Sequence, residues 1–231
     1  MTVDPSEPDA QKRTAAEAAA AEVASGMLIG LGTGSTAAFL IDALGRRVRA
    51  GLAVRAVATS RQTAERAAAA GIAVVDLDDL AAIDLAIDGV DEIDPAFRAI
   101  KGAGGAMLRE KVVAQAARRM IAIADASKAV AQLGARPVPV EVLPLARAFV
   151  AARVAALGGR PTLRTGAGGQ PWRTEQDNLI LDCEYGTIDD WPALAVALDA
   201  IPGALGHGLF MTEIDTLYLG TASGVIRRQR H

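Results

Sequence analysis

The run Met27-Leu28-Ile29-Gly30-Leu31, followed at once by Gly32-Thr33-Gly34-Ser35-Thr36, constrains the fold more than any other segment. A short apolar run that ends in a glycine turn and opens a helical pattern reads as a buried strand leading into a crossover helix. The helical part is marked by Ala37, Leu40, Ile41 and Leu44, from Thr36 to about Arg49. The same alternation then repeats. Residues 53–58 read as a strand ending at Thr59 and Ser60, and 62–70 as a helix closed by Gly71. Residues 72–75 and 83–88 read as strands, 104–118 as a helix and 120–124 as a strand. The alanine-rich stretch 9–25, stopped by Gly26, reads as a helix preceding them all. Such alternation predicts a parallel sheet covered on both faces, with ligands bound beyond the carboxyl ends of the strands. Thr33, Ser35, Thr59, Ser60, Asp88 and Asp125 all follow expected strands directly, which gathers polar groups at one sheet edge.

The pattern changes near Gly134. Arg136-Pro137-Val138-Pro139 is a proline-punctuated connector. Beyond it come a strand at 138–142, a helix at 145–156, strands near Thr162 and at 178–183, and a helix at 191–200. Strand, helix, strand, strand, helix predicts a small α+β domain of ferredoxin-like type. Strands near Leu209 and Leu217 in the last segment are expected to rejoin the first domain. The expected division is therefore 1–133 with 204–231 as the parallel-sheet domain, and 134–203 as the smaller domain.

Composition limits what such a chain does. Apolar residues make up 51% and charged residues 22% of its 231 positions, which excludes global disorder. Aromatics are only 3%, so the core must be built from Ala, Val, Leu and Ile, and base-stacking platforms are scarce. A net charge of −3 provides no general field for nucleic acid or an anionic membrane. The single cysteine, Cys183, allows neither an intrachain disulfide nor a cysteine zinc cluster, and two distant histidines, His207 and His231, do not make a metal site. The polar start of the chain and the absence of a long apolar run give the expectation of a soluble protein of a reducing compartment, the cytoplasm.

Four segments carry chemistry. Gly30 to Thr36 places backbone N–H groups and three hydroxyls where an anion can be held. A dinucleotide reading of its glycines needs an acidic residue at the end of the second strand, where Thr59-Ser60 stands instead. It is not a P-loop, since no Gly-Lys-Ser/Thr follows. Asp84 to Asp94 holds five acids in eleven positions. A solvated turn explains such density, and a metal held by Asp88, Asp91 and Glu92 is the alternative, although the spacing is not that of a calcium loop. Asp88 stands apart because it closes an apolar strand. Lys101-Gly102-Ala103-Gly104-Gly105 joins a cation to a flexible glycine run, and Glu110 follows near the second turn of the next helix. The bland reading makes Glu110 and Lys111 a solvated helix face. Finally, residues 121–128 deliver Asp125, Ser127 and Lys128 to the same edge, Lys128 as a point charge for phosphate. Anion donors, a carboxylate and a lysine suit proton transfer next to a carbonyl on a phosphorylated small molecule.

Taken in order, these segments resemble the ribose-5-phosphate isomerase family of A type. The resemblance rests on Gly30 to Ala37, Ala58-Thr59-Ser60, Asp88 to Ile93, Ile100 to Ala106 with Arg109-Glu110-Lys111, and Ile123 to Lys128. It continues through Pro139 to Val142, Ile201-Pro202-Gly203 and Gly208-Leu209-Phe210, so it spans about Lys12 to Gly220. It implies interconversion of D-ribose 5-phosphate and D-ribulose 5-phosphate through an enediolate, with no metal or organic cofactor. Glu110 matches the catalytic base, and Lys101 with the adjacent loop amides, Gly102 and Gly104 among them, matches the group facing the enediolate oxygen. Asp88 matches an acid/base residue near the ring oxygen, and Asp91 a second carboxylate on the substrate hydroxyls. Thr33, Gly34, Ser35, Thr36 and Lys128 match substrate-binding positions, and Lys12 a lysine that reaches phosphate. The family fold is a Rossmann-like domain with a smaller α+β domain, assembled as a homodimer or homotetramer.

The chain departs from that pattern at Ala103, where glycine is common, and at Thr174 to Asn178, which replaces an Asp-Asn-Gly-Asn turn. A glycine at position 103 would matter if the residue needed positive φ. His207 reads as a structural or surface residue rather than a catalyst. Three other functions are compatible with parts of the pattern: a non-catalytic sugar-phosphate sensor, an isomerase of another phosphorylated aldose, and a nicotinamide dehydrogenase.

Overall fold

The computed structural model describes residues 6–230; His231 and the first five residues lie outside it. The chain divides into two compact units. One comprises the chain up to Val90, Val112–Ala129 and the chain from Thr212 onward; the other comprises Asp91–Lys111 and Val130–Met211.

The first unit holds helix α1 (Ser6–Ala20), strand β1 (Leu28–Leu31), helix α2 (Ser35–Arg49), strand β2 (Arg55–Ala58), helix α3 (Arg61–Ala69), and strands β3 (Ala73–Val74) and β4 (Leu85–Gly89). Its seven-stranded sheet has the order β14-β13-β7-β4-β1-β2-β3, where β7 is Met120–Asp125, β13 is Thr216–Thr221 and β14 is Gly224–Gln229. Every pairing is parallel except β13 with β14. The strand order reverses at β1 and β4, so their carboxyl ends flank the crevice where this architecture binds ligands. The core is aliphatic, as the low aromatic content requires: Ile29, Leu31, Leu40, Ile41, Leu44, Ile87, Ile121 and Ile123 pack with Ala15, Ala16 and Ala19 of α1. α3 starts where Ser60 accepts the Thr63 N–H at 3.1 Å, a side-chain cap that fixes the turn after β2. α1 stops at Ala20 rather than Ser25, because the following residues turn: Gly26, at φ +90°, donates to Ala53 O at 2.7 Å.

The second unit contains β5 (Glu92–Ile93) and β6 (Ala99–Ile100), which pair with β12 (Leu209–Phe210) in a three-stranded sheet. It also contains the antiparallel sheet β11-β8-β10-β9, built from β8 (Val138–Val142), β9 (Arg160–Leu163), β10 (Leu179–Glu184) and β11 (Ala204–His207). Helices α5 (Arg147–Ala156) and α6 (Trp191–Asp199) complete the strand, helix, strand, strand, helix, strand order of a ferredoxin-like layer. Trp191, Val150, Val154, Leu198 and Cys183 fill its core. A single-turn 3-10 helix, Pro144–Ala146, replaces the first turn of the helix expected from Leu145. Helix α4 (Met107–Ala116) is shorter than the expected 104–118.

The boundaries differ from those expected at three places, the shortest being 130–133, which go with the second unit as the Val130 N–H bonds Ile93 O at 2.9 Å. Residues 204–211 stay with the second unit, because β11 extends the β8 sheet and β12 pairs with β6; only the chain from Thr212 rejoins the first. Residues 91–111 also belong to the second unit, because β5 and β6 are strands of its small sheet rather than a solvated acidic turn. Among the described residues, no helix is long and apolar enough to cross a membrane.

Candidate active site

In the first unit, three features meet at the carboxyl ends of the central strands. Asp88, penultimate in β4, is 4% exposed, and its Oδ1 accepts the Gly89 N–H at 2.7 Å. It lies directly against the loop after β1. A Cβ on Gly32 would fall 1.7 Å from Asp88 Oδ1, so a side chain at position 32 and Asp88 exclude each other. The second feature is the start of α2. Gly34, at φ +115°, caps it without a side-chain bond, and the first helical bond runs from Ala38 N–H to Gly34 O. The amides of Ser35, Thr36 and Ala37 thus precede the helical ladder, beside the exposed Ser35 and half-buried Thr36. The third is a hydroxyl cluster. Thr33 Oγ1 lies 2.8 Å from Thr59 Oγ1, 2.9 Å from Ser60 Oγ and 3.2 Å from Thr63 Oγ1, while Thr63 donates to Gly32 O at 3.0 Å. Thr59 and Ser60 therefore brace the glycine loop from the end of β2.

Lys12 lies in the second turn of α1 and bonds Asp9 at 3.1 Å. Its neighbour Gln11 accepts the Ala126 N–H at 3.0 Å, which ties α1 to the 3-10 turn Ala126–Lys128. The two lysines expected at phosphate thus sit on touching elements at the end of β7. Asp125 caps that turn by accepting the Ser127 N–H at 3.0 Å.

In the second unit, Lys101 and Glu110 form a buried ion pair. Lys101 Nζ lies 3.3 Å from Glu110 Oε2, and the side chains are 3% and 4% exposed. Glu110 is in the first turn of α4, one turn earlier than expected, where a carboxylate suits the helix dipole. It is no solvated face. The loop between the two residues is pinned by Asp91, whose Oδ2 accepts the Ala103 N–H at 2.9 Å. Gly102 and Gly105 take the positive φ values of this loop, +99° and +78°. Ala103 does not share that conformation, so alanine is accommodated there without strain. In the other departure from the family pattern, Asp177 itself adopts φ +61°.

The acids of the segment from Asp84 to Asp94 are engaged by backbone N–H groups. Glu92 accepts the N–H groups of Gly134 and Arg136 at 2.8 and 2.6 Å, and Asp94 those of Ala96 and Arg98, both at 2.9 Å. Among the described residues, no group of three or more His, Cys, Asp or Glu side chains is placed to hold a metal ion.

Sequence reasoning missed the support around the ion pair. The Phe210 ring has the ammonium of Lys101 5.3 Å from its centroid on one contact and that of Lys111 5.0 Å away on another. Lys111 donates to Leu209 O at 2.6 Å and lies 3.3 Å from His207 Nδ1. His207 is buried; its Nδ1 accepts the Leu209 N–H at 3.2 Å and its Nε2 faces Asp199 Oδ1 at 3.1 Å. The imidazole beside it holds the Asp199 carboxyl below its ordinary value. The structural role expected for His207 is thus a specific one, an anchor for Lys111. Only the motif Gly206-His207-Gly208 signalled it in the sequence.

Comparison with known proteins joins these groups to a family. The model of ribose 5-phosphate isomerase A (phosphoriboisomerase A) matches residues 55–224. The chain belongs to the ribose 5-phosphate isomerase A family. It is 51% identical over 221 residues to ribose-5-phosphate isomerase A of Sphingopyxis alaskensis, covering 96% of each chain. Among solved structures, a D-ribose-5-phosphate isomerase in complex with phospho-erythronic acid superposes with TM-score 0.93 at 35% identity, over 96% of this chain and 99% of that one. Ribose 5-phosphate isomerase A of Methanocaldococcus jannaschii gives TM-score 0.92 at 36% identity, over 96% and 99%. The α/β fold with its antiparallel companion is that of the isomerase A family.

Proposed function

We propose that the chain interconverts D-ribose 5-phosphate and D-ribulose 5-phosphate through an enediolate, and that Glu110 is the base. The observation that carries this reading is the Lys101–Glu110 pair, buried at 3.3 Å beside a glycine loop in a chain of this family. Glu110 removes the proton from C2 of the open-chain aldose. The electron pair moves into the C1–C2 bond, and O1 gathers negative charge. The Lys101 ammonium and the loop amides at Gly102 and Gly104 face that charge. Glu110 then returns its proton to C1, while O2 loses its hydroxyl proton and O1 gains one, which gives the ketose. Asp88 acts as acid/base at the ring oxygen, and Asp91 binds substrate hydroxyls. Thr33, Gly34, Ser35 and Thr36 bind the substrate, with Lys12 and Lys128 toward its phosphate; the amides before the α2 ladder and the bond from the Ala126 N–H to Gln11 support that placement. The sequence of steps calls for no metal and no organic cofactor.

We also propose a cytoplasmic enzyme of the pentose phosphate pathway, without nucleic acid or membrane partners, working as a homodimer or homotetramer. Leu145, 91% exposed, and the exposed Phe149 and Val196 support self-assembly through the second unit.

The test is to treat the purified protein with chelator, add D-ribose 5-phosphate and follow D-ribulose 5-phosphate. Conversion that survives chelation is expected. Folded protein that binds the sugar phosphate without converting it would favour a sensor and overturn the enzyme reading.

A further inference from the structure

We infer that Arg164 is a positioning residue: it aims the amides of the glycine loop beside Lys101, and it does so from the far side of that loop. The inference rests on the catalytic role proposed for the loop, and it adds a residue to which neither the motifs nor the comparisons assign anything.

Arg164 follows β9 directly, and its side chain is 15% exposed. One edge of the guanidinium is fixed by Asp182 of β10: Nε donates to Oδ2 at 2.8 Å and Nη2 donates to Oδ1. That bidentate pair leaves Nη1 pointing at the loop, where it donates to Gly102 O at 3.2 Å and to Ala103 O at 3.1 Å. The guanidinium also lies 5.8 Å from the Trp172 ring centroid. That ring occupies the space in which Gly105 would carry a Cβ, 2.1 Å from the nearest ring atom. Arg164, Asp182 and Trp172 together form a rigid backing against residues 102–105.

The consequence follows from peptide geometry. In a trans peptide the C=O and the next N–H point in opposite directions, and no cis peptide occurs among the described residues. With Gly102 C=O turned to Arg164, the Ala103 N–H must point away from it, and it is found on Asp91 Oδ2. With Ala103 C=O turned the same way, the Gly104 N–H also points away from the guanidinium. One cation therefore orients two successive amides as donors. A flipped Ala103–Gly104 peptide would put a carbonyl oxygen in place of the Gly104 N–H where negative charge develops, and would lose the Arg164 bond to Ala103 O. Lysine cannot replace this arrangement, since a single ammonium lacks the planar fork that grips Asp182 and both carbonyls at once.

The experiment compares wild type with Arg164→Met, Arg164→Lys and Asp182→Asn, each checked for folding by circular dichroism and melting. Steady-state kinetics on D-ribose 5-phosphate are expected to show kcat about ten- to hundredfold lower for Arg164→Met, the scale of an ångström-sized misplacement. KM should change less than about threefold, and Arg164→Lys and Asp182→Asn should lose less. Hydrogen exchange of the peptide spanning 101–106 should be faster in Arg164→Met, because the Gly102 and Ala103 carbonyls are no longer held and the loop opens more often. Should Arg164→Met fail to fold, the two milder variants carry the same test. Wild-type kcat with unchanged exchange in the folded variants would overturn the inference, as would a raised KM at full kcat. Exchange is read without turnover. Wild type that fails to isomerise therefore overturns the proposed function, while the clamp stands or falls on exchange alone.

Discussion

Removing one charge of the Lys101–Glu110 pair should damage the protein more than removing both. At 3.3 Å the two charges attract by about 5 kcal/mol in an effective dielectric of about 20. Both side chains are almost fully buried, so Glu110→Gln leaves the Lys101 ammonium in a poorly solvated place without the charge it faces. Lys101→Met does the same to the carboxylate. Breaking a buried pair from one side costs about 3–5 kcal/mol, whereas replacing both members by neutral groups is far milder. For a chain of this length such a loss lowers the melting temperature by roughly 6–20 °C. Urea unfolding at pH 7 of wild type, both single variants and the double variant gives the coupling directly. The expected result is a double variant more stable than additivity allows by at least about 1 kcal/mol, yet still without turnover. Additive costs, within about 0.5 kcal/mol, would refute the coupling. A double variant that regained turnover along with stability would refute the assignment of these charges to the chemistry.

Other outcomes follow from single contacts. Gly32→Ala forces a Cβ onto Asp88, 1.7 Å from its Oδ1, and should lower turnover at least tenfold and stability by about 1–3 kcal/mol, read by kinetics and melting; a wild-type-like variant would mean that Asp88 moves without consequence. Glu22 has a depressed pKa because it accepts from Tyr218 and from Arg119. A carboxylate with a lowered folded pKa binds more protons when unfolded, so its contribution is full above its ordinary value of 4.5 and is lost as pH falls through the lower folded value. Glu22→Gln should therefore flatten the acid limb of a stability-against-pH curve below about that pH, and an unchanged limb would contradict the assignment. Cys183 is buried and its thiol is pushed up to about 12, so a thiol reagent at pH 8 should label it only when the protein is unfolded; rapid labelling of the native protein would count against this core.

Much of this was legible in the sequence where local chemistry and tertiary position coincide. The run from Leu28 to Thr36 reads as a buried strand, a glycine turn and a helix because its burial and its turn residues are consecutive. β8 emerged with its bounds intact, since Val138, Val140 and Val142 alternate in a short run bracketed by connectors. Legibility failed where partners are distant. β5 and β6 are two residues long, and their pairing with each other and with Leu209–Phe210 leaves no periodic trace. Glu92 resembled a solvated acid until Gly134 and Arg136, more than forty residues later, took its carboxylate. Alanine propensity extended α1 to Ser25 because propensity carries no information about the Gly26–Ala53 bond that turns the chain. The site was half visible. Lys101 and Glu110 were picked out by type and motif, but their separation depends on a loop bent by Gly102 and Gly105. Arg164 was invisible, because its importance lies in the register that sets it beside Asp182 and against residues sixty positions earlier.

The central claim is that Glu110 carries the proton between C1 and C2 of the sugar phosphate. The most direct test is the turnover of Glu110→Gln, verified as folded by melting and circular dichroism, on D-ribose 5-phosphate. Loss of a general base costs about 10²–10⁴-fold, and the account predicts a fall in kcat of at least a hundredfold. A folded Glu110→Gln variant that turns over near the wild-type rate would contradict it and remove Glu110 from the mechanism.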